Sequence, residues 1–276
     1  MAISPPGEYE DLEIDLVLEA VRRRYGYDFR QYARASLKRR LRAFAQAESM
    51  TSLASMIPPL LHNEGFIDRF VNGISVVVSE PFREPQLLAS LRLQAFPLLA
   101  QMSHTKLWIA GCASGEEVYS VAILLEEAGL LDRVQLYATD INTEALATAR
   151  QGIYRLEALG KAEANYLLAG GRKKLSDYYV THYGAGKFAE RLIQRTVFSQ
   201  HNLATDAAFG EMHLVLCRNV LIYFARDLQD RAVQLFHSSL IAGGFLALGA
   251  KESLRFLEAG RQFEATDAEA RLYRAL

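Results

Sequence analysis

LWIAGCASGEEVYSVAILL, residues 107–125, reads as a buried strand, a glycine turn and a helix. The apolar run Leu107–Ala110 is short and continuous, the pattern of a strand covered on both faces. Gly111 and Gly115 let the chain turn sharply and approach a ligand closely. Similar runs at Val134–Thr139, Leu214–Cys217 and Phe245–Leu248 alternate with helical stretches, the signature of βαβ units in a parallel sheet. The expected fold is therefore α/β, a doubly wound Rossmann-like sheet with helices on both faces.

The turn also carries chemistry. A dinucleotide-binding protein normally shows G-x-G-x-x-G here, with free helix amides for a pyrophosphate. This chain has G-x-x-x-G, and Glu116 and Glu117 open the helix. Two carboxylates there repel phosphate and welcome a cation, which favours S-adenosylmethionine, a sulfonium and ammonium carrier without phosphate. Ser114 to Glu117 also fits a capping box, S-x-x-E, which needs no ligand. A second acid supports the ligand reading. Asp140 closes the next apolar run, 25 residues after Gly115, where a carboxylate holds ribose hydroxyls in Rossmann sheets; Asn142 or Thr143 can cap the following helix instead.

A third cluster is LVLCRNVLIYF, 214–224, whose strand ends in Cys217, Arg218 and Asn219, with Tyr223 beyond. Strand ends in such a sheet line the ligand crevice. Arg218 among apolar neighbours is either a buried salt bridge or a ligand contact. Asn202 and Leu203 offer a hydrogen bond and an apolar face to an adenine. The stretch SDYYVTHYGAGKFAERLIQRTVF interrupts the alternation, and Gly184-Ala185-Gly186 between two strand-like runs reads as a hairpin turn in a small inserted flap.

Upstream the style differs. Over residues 10–70, Leu12, Leu16, Val17 and Val21 fall at helical spacing, as do Tyr32, Leu37, Leu41 and Phe44, and Pro58-Pro59 breaks the region. The chain of 276 residues is half hydrophobic, with 31 basic and 32 acidic side chains, which excludes a globally basic nucleic-acid coat and a disordered polyanion. Two cysteines make no disulfide framework, and the start MAISPPGEYEDLEIDL lacks a secretory pattern, so a cytoplasmic protein without membrane insertion is expected. The six histidines show no ligand spacing and the cysteines no C-x-x-C pair, so no metal is expected.

Taken together, AGCASGEEVYS, ATDINTEALATARQGIY, LCRNVLIYF, SEPFRE, GGFLALGAKESL and YDFRQYARASLKRRL resemble the CheR-type chemoreceptor glutamate methyltransferases, from about residue 10 to the end. The resemblance implies a basic helical domain at 1–75 that docks on receptors and a linker at 76–95 that contributes to the cofactor pocket. It further implies a methyltransferase domain at 96–276 with a β-subdomain near 175–198. S-adenosylmethionine is the implied cofactor and S-adenosylhomocysteine the product. Carried over by motif, Gly111, Glu117, Asp140, Asn202, Leu203, Arg218 and Asn219 form the cofactor pocket. Ser79 and Arg83 meet the cofactor's carboxylate and methyl end, and Arg83 and Tyr223 are the catalytic pair. The chain departs from the family's N-x-T-x-F-F-R-[DE] at Val77, Ser79 and Pro81.

The implied reaction needs no general base, because a glutamate with a pKa of about 4.3 is ionised at neutral pH; positioning dominates. The implied partner is the acidic cytoplasmic helical region of a chemoreceptor, met by a monomer. Residues 20–45 hold nine basic side chains and one acid, with Arg34, Lys38 and Arg42 stacked at i, i+4 and i+8 as a docking face. The basic cluster is confined to one helical region, which argues against an RNA methyltransferase. A non-catalytic S-adenosylmethionine sensor or adaptor is the other alternative.

Overall fold

The computed structural model describes residues 8–276. Residues 1–7, read above for a leader and counted in the helical domain, lie outside it. Four helices open the chain: α1 (Glu8–Tyr25), α2 (Arg34–Ala47), α3 (Ile57–His62) and α4 (Phe66–Ile74). They enclose a core of their own, with Ile14, Val17, Leu18 and Val21 of α1 against Leu37 and Leu41 of α2 and Phe66 and Phe70 of α4. Leu12 and Leu16, expected in that core, are about half exposed. Helix α1 is apolar on more than one side, and Ile14 and Leu18 complete the stripe that packs. Pro58 and Pro59 do not break the region. They sit in the first turn of α3, where a missing amide leaves no intrahelical bond unmade.

Residues 85–99 form a nearly continuous helical run, α5 (Pro85–Ser90), a π-helical turn (Leu91–Ala95) and α6 (Phe96–Leu99). Leu87, Leu88, Leu91 and Phe96 bury into the core of the following domain. Much of the segment expected as a linker is thus packed structure.

The α/β domain continues with β1 (Thr105–Ala110), α7 (Glu116–Glu127), β2 (Val134–Asp140), α8 (Thr143–Gln151), β3 (Ile153–Arg155), α9 (Leu156–Leu168), β4 (Tyr179–His182), β5 (Ala185–Phe188), β6 (Thr196–Gln200), β7 (Met212–Cys217), α10 (Arg226–Ser239), β8 (Leu240–Leu248), β9 (Phe263–Asp267) and β10 (Leu272–Ala275). Seven strands run in the order β6-β2-β1-β7-β8-β10-β9. The pairs β2/β6, β1/β2, β1/β7 and β7/β8 are parallel, and β10 runs antiparallel to β8 and β9. This is the Rossmann-like sheet expected, with the four apolar runs as β1, β2, β7 and β8. The chain leaves β1 toward β2 on one side and later returns to β7 on the other, so a crevice opens at their carboxyl ends.

A second, antiparallel sheet, β3-β5-β4, is the flap. Its boundaries differ from 175–198. Ile153–Arg155 supplies a third strand from outside that range, and Thr196–Gln200 pairs with β2 in the main sheet. The hairpin turn is Tyr183-Gly184, both at positive φ, as a two-residue turn between twisted strands demands; Ala185 and Gly186 already belong to β5.

Candidate active site

An open cleft of about 990 Å³, counting its mouth, lies at the carboxyl ends of β1, β2 and β7 and is closed on one side by residues of the helical domain. Gly111 lines it at φ +76°, and Gly115, at φ +92°, turns the chain into α7. A Cβ on Gly111 would lie 2.4 Å from Val220 Cγ2, so only glycine lets the β1 and β7 turns meet.

The capping box does not form. Gly115 takes the N-cap position without a side-chain cap, and Ser114 Oγ instead donates to the Glu116 carboxylate at 2.7 Å. The left-handed glycine starts the helix one residue late for Ser114. Glu117 is therefore released from capping, and its Oε1 accepts from Arg218 Nη1 at 2.5 Å. Glu117 Oε2 has no hydrogen-bond donor among the described residues. Asp140, at the end of β2, accepts from the Ala113 amide on Oδ2 and from the Asn142 amide on Oδ1, both at 2.9 Å. Burial pushes its carboxyl above the ordinary range against those amides. Asn142 caps α8 through Oδ1 to the Ala145 amide, which leaves Asp140 aimed at the cleft.

Arg218 is buried, and its two nitrogens at the tip serve three acceptors: Glu117, the Arg83 carbonyl at 2.5 Å and Glu84 at 3.3 Å. Burial works against its charge, but Glu117 and Glu84 outweigh that and raise its pKa. Glu84 also accepts from Asn219 Nδ2 and the Ala250 amide. Burial opposes the Glu84 charge, yet the Ala250 amide, Arg218 and Asn219 hold its carboxyl below the ordinary value. The backbone at Phe82 and Glu84 is left-handed, at φ +55° and +51°. That strain persists because Phe82 is buried with its amide on Ser120 Oγ and Glu84 is fixed at both oxygens.

Asn219 is left-handed as well, φ +59°, and its amide joins those of Val220, Leu221 and Gly249 on the buried carboxylate of Glu252. Four backbone donors on one carboxylate fix the turn after β7 that carries Tyr223. Beyond β6, Asn202 Oδ1 accepts from the Ala204 amide, while its Nδ2 is buried without an acceptor among the described residues. Leu203 is buried beside it. The hydroxyl of Tyr223 has no partner among the described residues, and Arg40 stacks over its ring at 5.4 Å.

Ser79, Arg83, Gly111, Glu117, Asp140, Asn202, Leu203, Arg218, Asn219 and Tyr223 all line this one cleft. Val77 is exposed and lies outside the lining. Arg34, Lys38 and Arg42 do not reach it. They stack along α2 as expected, but against α1: Arg34 pairs with Asp15 at 2.6 Å, Lys38 with Glu10 at 2.9 Å and Arg42 with Glu10 at 2.5 Å. The sequence reading gave no site role to Glu84, Glu252, Tyr32 or Arg40. Glu84 and Glu252 stand inside the quoted motifs SEPFRE and GGFLALGAKESL. Cys112 and Cys217 are buried thiols whose pKa burial pushes well up.

Residues 78–271 match the family described as CheR methyltransferase, SAM binding domain, and residues 12–75 that described as CheR methyltransferase, all-alpha domain. The chain is 46% identical over 265 residues, 96% of its length and 97% of the relative's, to a Pseudomonas putida protein named as the methyltransferase Cher3. It is 30% identical over 251 residues to the chemotaxis protein methyltransferase of Listeria monocytogenes, covering 88% of this chain and 92% of that one. It is 34% identical over 237 residues to chemotaxis protein methyltransferase 2 of Pseudomonas aeruginosa, covering 81% and 78%.

Proposed function

The chain belongs to the CheR methyltransferase family, and from that premise we propose that it transfers the methyl of S-adenosylmethionine to glutamate side chains of chemoreceptors, tuning chemosensory adaptation. The observation that carries this reading is the convergence of Glu117, Asp140 and an unpartnered Tyr223 hydroxyl on one cleft. Acids at the start of α7 disfavour a phosphate. The donor set suits a ligand with a cationic amino-acid end, a ribose and an adenine. Glu117 Oε2 is open to an ammonium. Asp140 keeps lone pairs for two hydroxyls after accepting its two amides. The buried Asn202 Nδ2 needs an acceptor, and an adenine ring nitrogen supplies one. Ser79 and Arg83 then serve the cofactor's carboxylate and methyl end, and Gly111 leaves room for close approach.

Bound there, S-adenosylmethionine supplies an electrophilic methyl that a substrate carboxylate oxygen takes up as a methyl ester, leaving S-adenosylhomocysteine. The protein's own task is alignment and exclusion of water. Arg218 and Asn219 act through their partners. Arg218 fixes Glu117 and ties the Arg83 backbone to the sheet, and Asn219 braces Glu84. Arg83 orients the reacting end, and Tyr223 donates a hydrogen bond beside the methyl. The helical domain at 1–75 presents the receptor, the segment 76–95 completes the pocket, and 96–276 carries the chemistry. Docking through Arg34, Lys38 and Arg42 belongs to this proposal, with Glu10, Asp11 and Asp15 competing for the same donors. The exposed Arg39, which has no carboxylate partner among the described residues, adds an uncontested charge to that face.

The test is transfer of a radiolabelled methyl from S-adenosylmethionine to the cytoplasmic helical region of a chemoreceptor. Label on protein that is released by mild base is expected, as a carboxyl methyl ester requires. Label on RNA, or on nothing, overturns the reading.

A further inference from the structure

Arg40 is a cation of the cleft without a carboxylate partner among the described residues. It projects from α2 into the lining beside Tyr32 and Tyr223, its guanidinium carbon 5.4 Å from the Tyr223 ring centre. Nε donates to the Ser36 carbonyl at 3.2 Å and Nη1 to the Ile74 carbonyl at 2.5 Å. Nη2 is buried and has no acceptor among the described residues. Its neighbours Arg34, Lys38 and Arg42 on the same helix all hold carboxylates, so Arg40 differs from them. Of the acids that line the cleft, Glu117 is engaged by Arg218 and Asp140 by backbone amides, and the exposed Glu80 makes no ion pair with Arg40. Burial lowers the pKa of Arg40, and no carboxylate offsets it. A guanidinium kept partly desolvated with an empty donor is unfavourable unless an anion arrives. Its site beside the Tyr223 ring makes that anion part of what reacts there.

We propose that Arg40 turns its unpartnered Nη2 into the cleft to receive the carboxylate of the incoming glutamate side chain, leaving the other carboxylate oxygen free as the nucleophile. This rests on the methyltransferase reading and adds a residue to it. A charged acceptor binds a guanidinium about twice as strongly as a neutral one, so Arg40 selects glutamate over glutamine. A single hydrogen bond from Nη2 leaves the second oxygen its basicity, which a two-pronged clamp would reduce.

The experiment uses the full chain loaded with S-adenosylhomocysteine and two capped alanine-rich helical peptides, one bearing a single glutamate and one a glutamine in its place. Calorimetry is expected to show a preference for the glutamate peptide of about tenfold. Arg40→Met should abolish the preference, Arg40→Lys should restore part of it, and the affinity for S-adenosylhomocysteine should stay within about twofold. Because the preference is a ratio, partial unfolding of the variant lowers both peptides alike and does not mimic the result. A preference that survives in Arg40→Met overturns the proposal. So does a cofactor affinity that falls about tenfold in that variant, which would assign Arg40 to the cofactor's own carboxylate. Should the wild type transfer no label to any receptor while Arg40→Met still loses the preference, the reaction fails and the assignment of Arg40 stands.

Discussion

Arg218 and Glu117, 101 residues apart in sequence, meet at 2.5 Å beneath the cleft, and Arg218 continues to Glu84 and the Arg83 carbonyl. One buried cation thus joins the glycine turn after β1, the strained segment before α5 and the end of β7.

Breaking that pair by Glu117→Gln leaves Arg218 half-compensated in the interior. Denaturant unfolding should show a loss of about 3 kcal/mol, the scale for an orphaned buried charge. The double variant Glu117→Gln with Arg218→Met should lose less than the sum of the singles, because neither member of this pair is left facing an absent partner. Additive losses would mean the two side chains do not work as a pair.

Tyr223→Phe removes a hydroxyl that has no partner among the described residues. Turnover on receptor should fall about 100-fold, the effect of deleting one aligned donor, with cofactor affinity within about twofold. Unchanged turnover removes Tyr223 from the mechanism.

Reversing Arg34, Lys38 and Arg42 to glutamate sets three new acids against Glu10, Asp11 and Asp15 of α1. The melting temperature should drop, and receptor methylation with it, while Arg39→Glu should weaken receptor methylation without a change in melting. Equal melting for the triple variant and the wild type would show that these pairs contribute nothing to the α1–α2 contact.

The same pairs set an acid limit. Arg42 and Lys38 lower the Glu10 carboxyl from an ordinary 4.5 to about 2. A depressed folded-state value means that its stabilisation is present above about 4.5 and is lost as the pH falls toward 2. Glu10→Gln should flatten that part of the stability curve, and added salt should reduce the difference, since both partners are near the surface. A curve unchanged by Glu10→Gln would put the acid sensitivity elsewhere.

Much of the sheet is legible because its signals are local. The runs that became β1, β2, β7 and β8 are each read within a few residues, and Gly111 and Gly115 announce the turn between them. What escapes is what depends on distant partners. Glu84 gains meaning from Arg218, 134 residues away, and Glu252 chiefly from the backbone amides of the turn after β7, about 30 residues upstream. The basic stripe of α2 is plain in the sequence, but its acidic counterpart lies on α1, and only the packing of the two helices reveals that most of its charge is answered internally. Leu12 and Leu16 mislead for the same reason: an apolar helix with more than one apolar side does not say which side its neighbours will cover. The capping box at Ser114 fails because the φ of Gly115 is a property of the turn as a whole.

The most direct measurement is a calorimetric titration of S-adenosylhomocysteine into the wild type and into Asp140→Asn, with NAD as a control. Stoichiometric binding to the wild type is predicted, weakened about tenfold or more in the variant, with no heat from NAD. No binding of S-adenosylhomocysteine, or binding of NAD in the same cleft, would contradict the account.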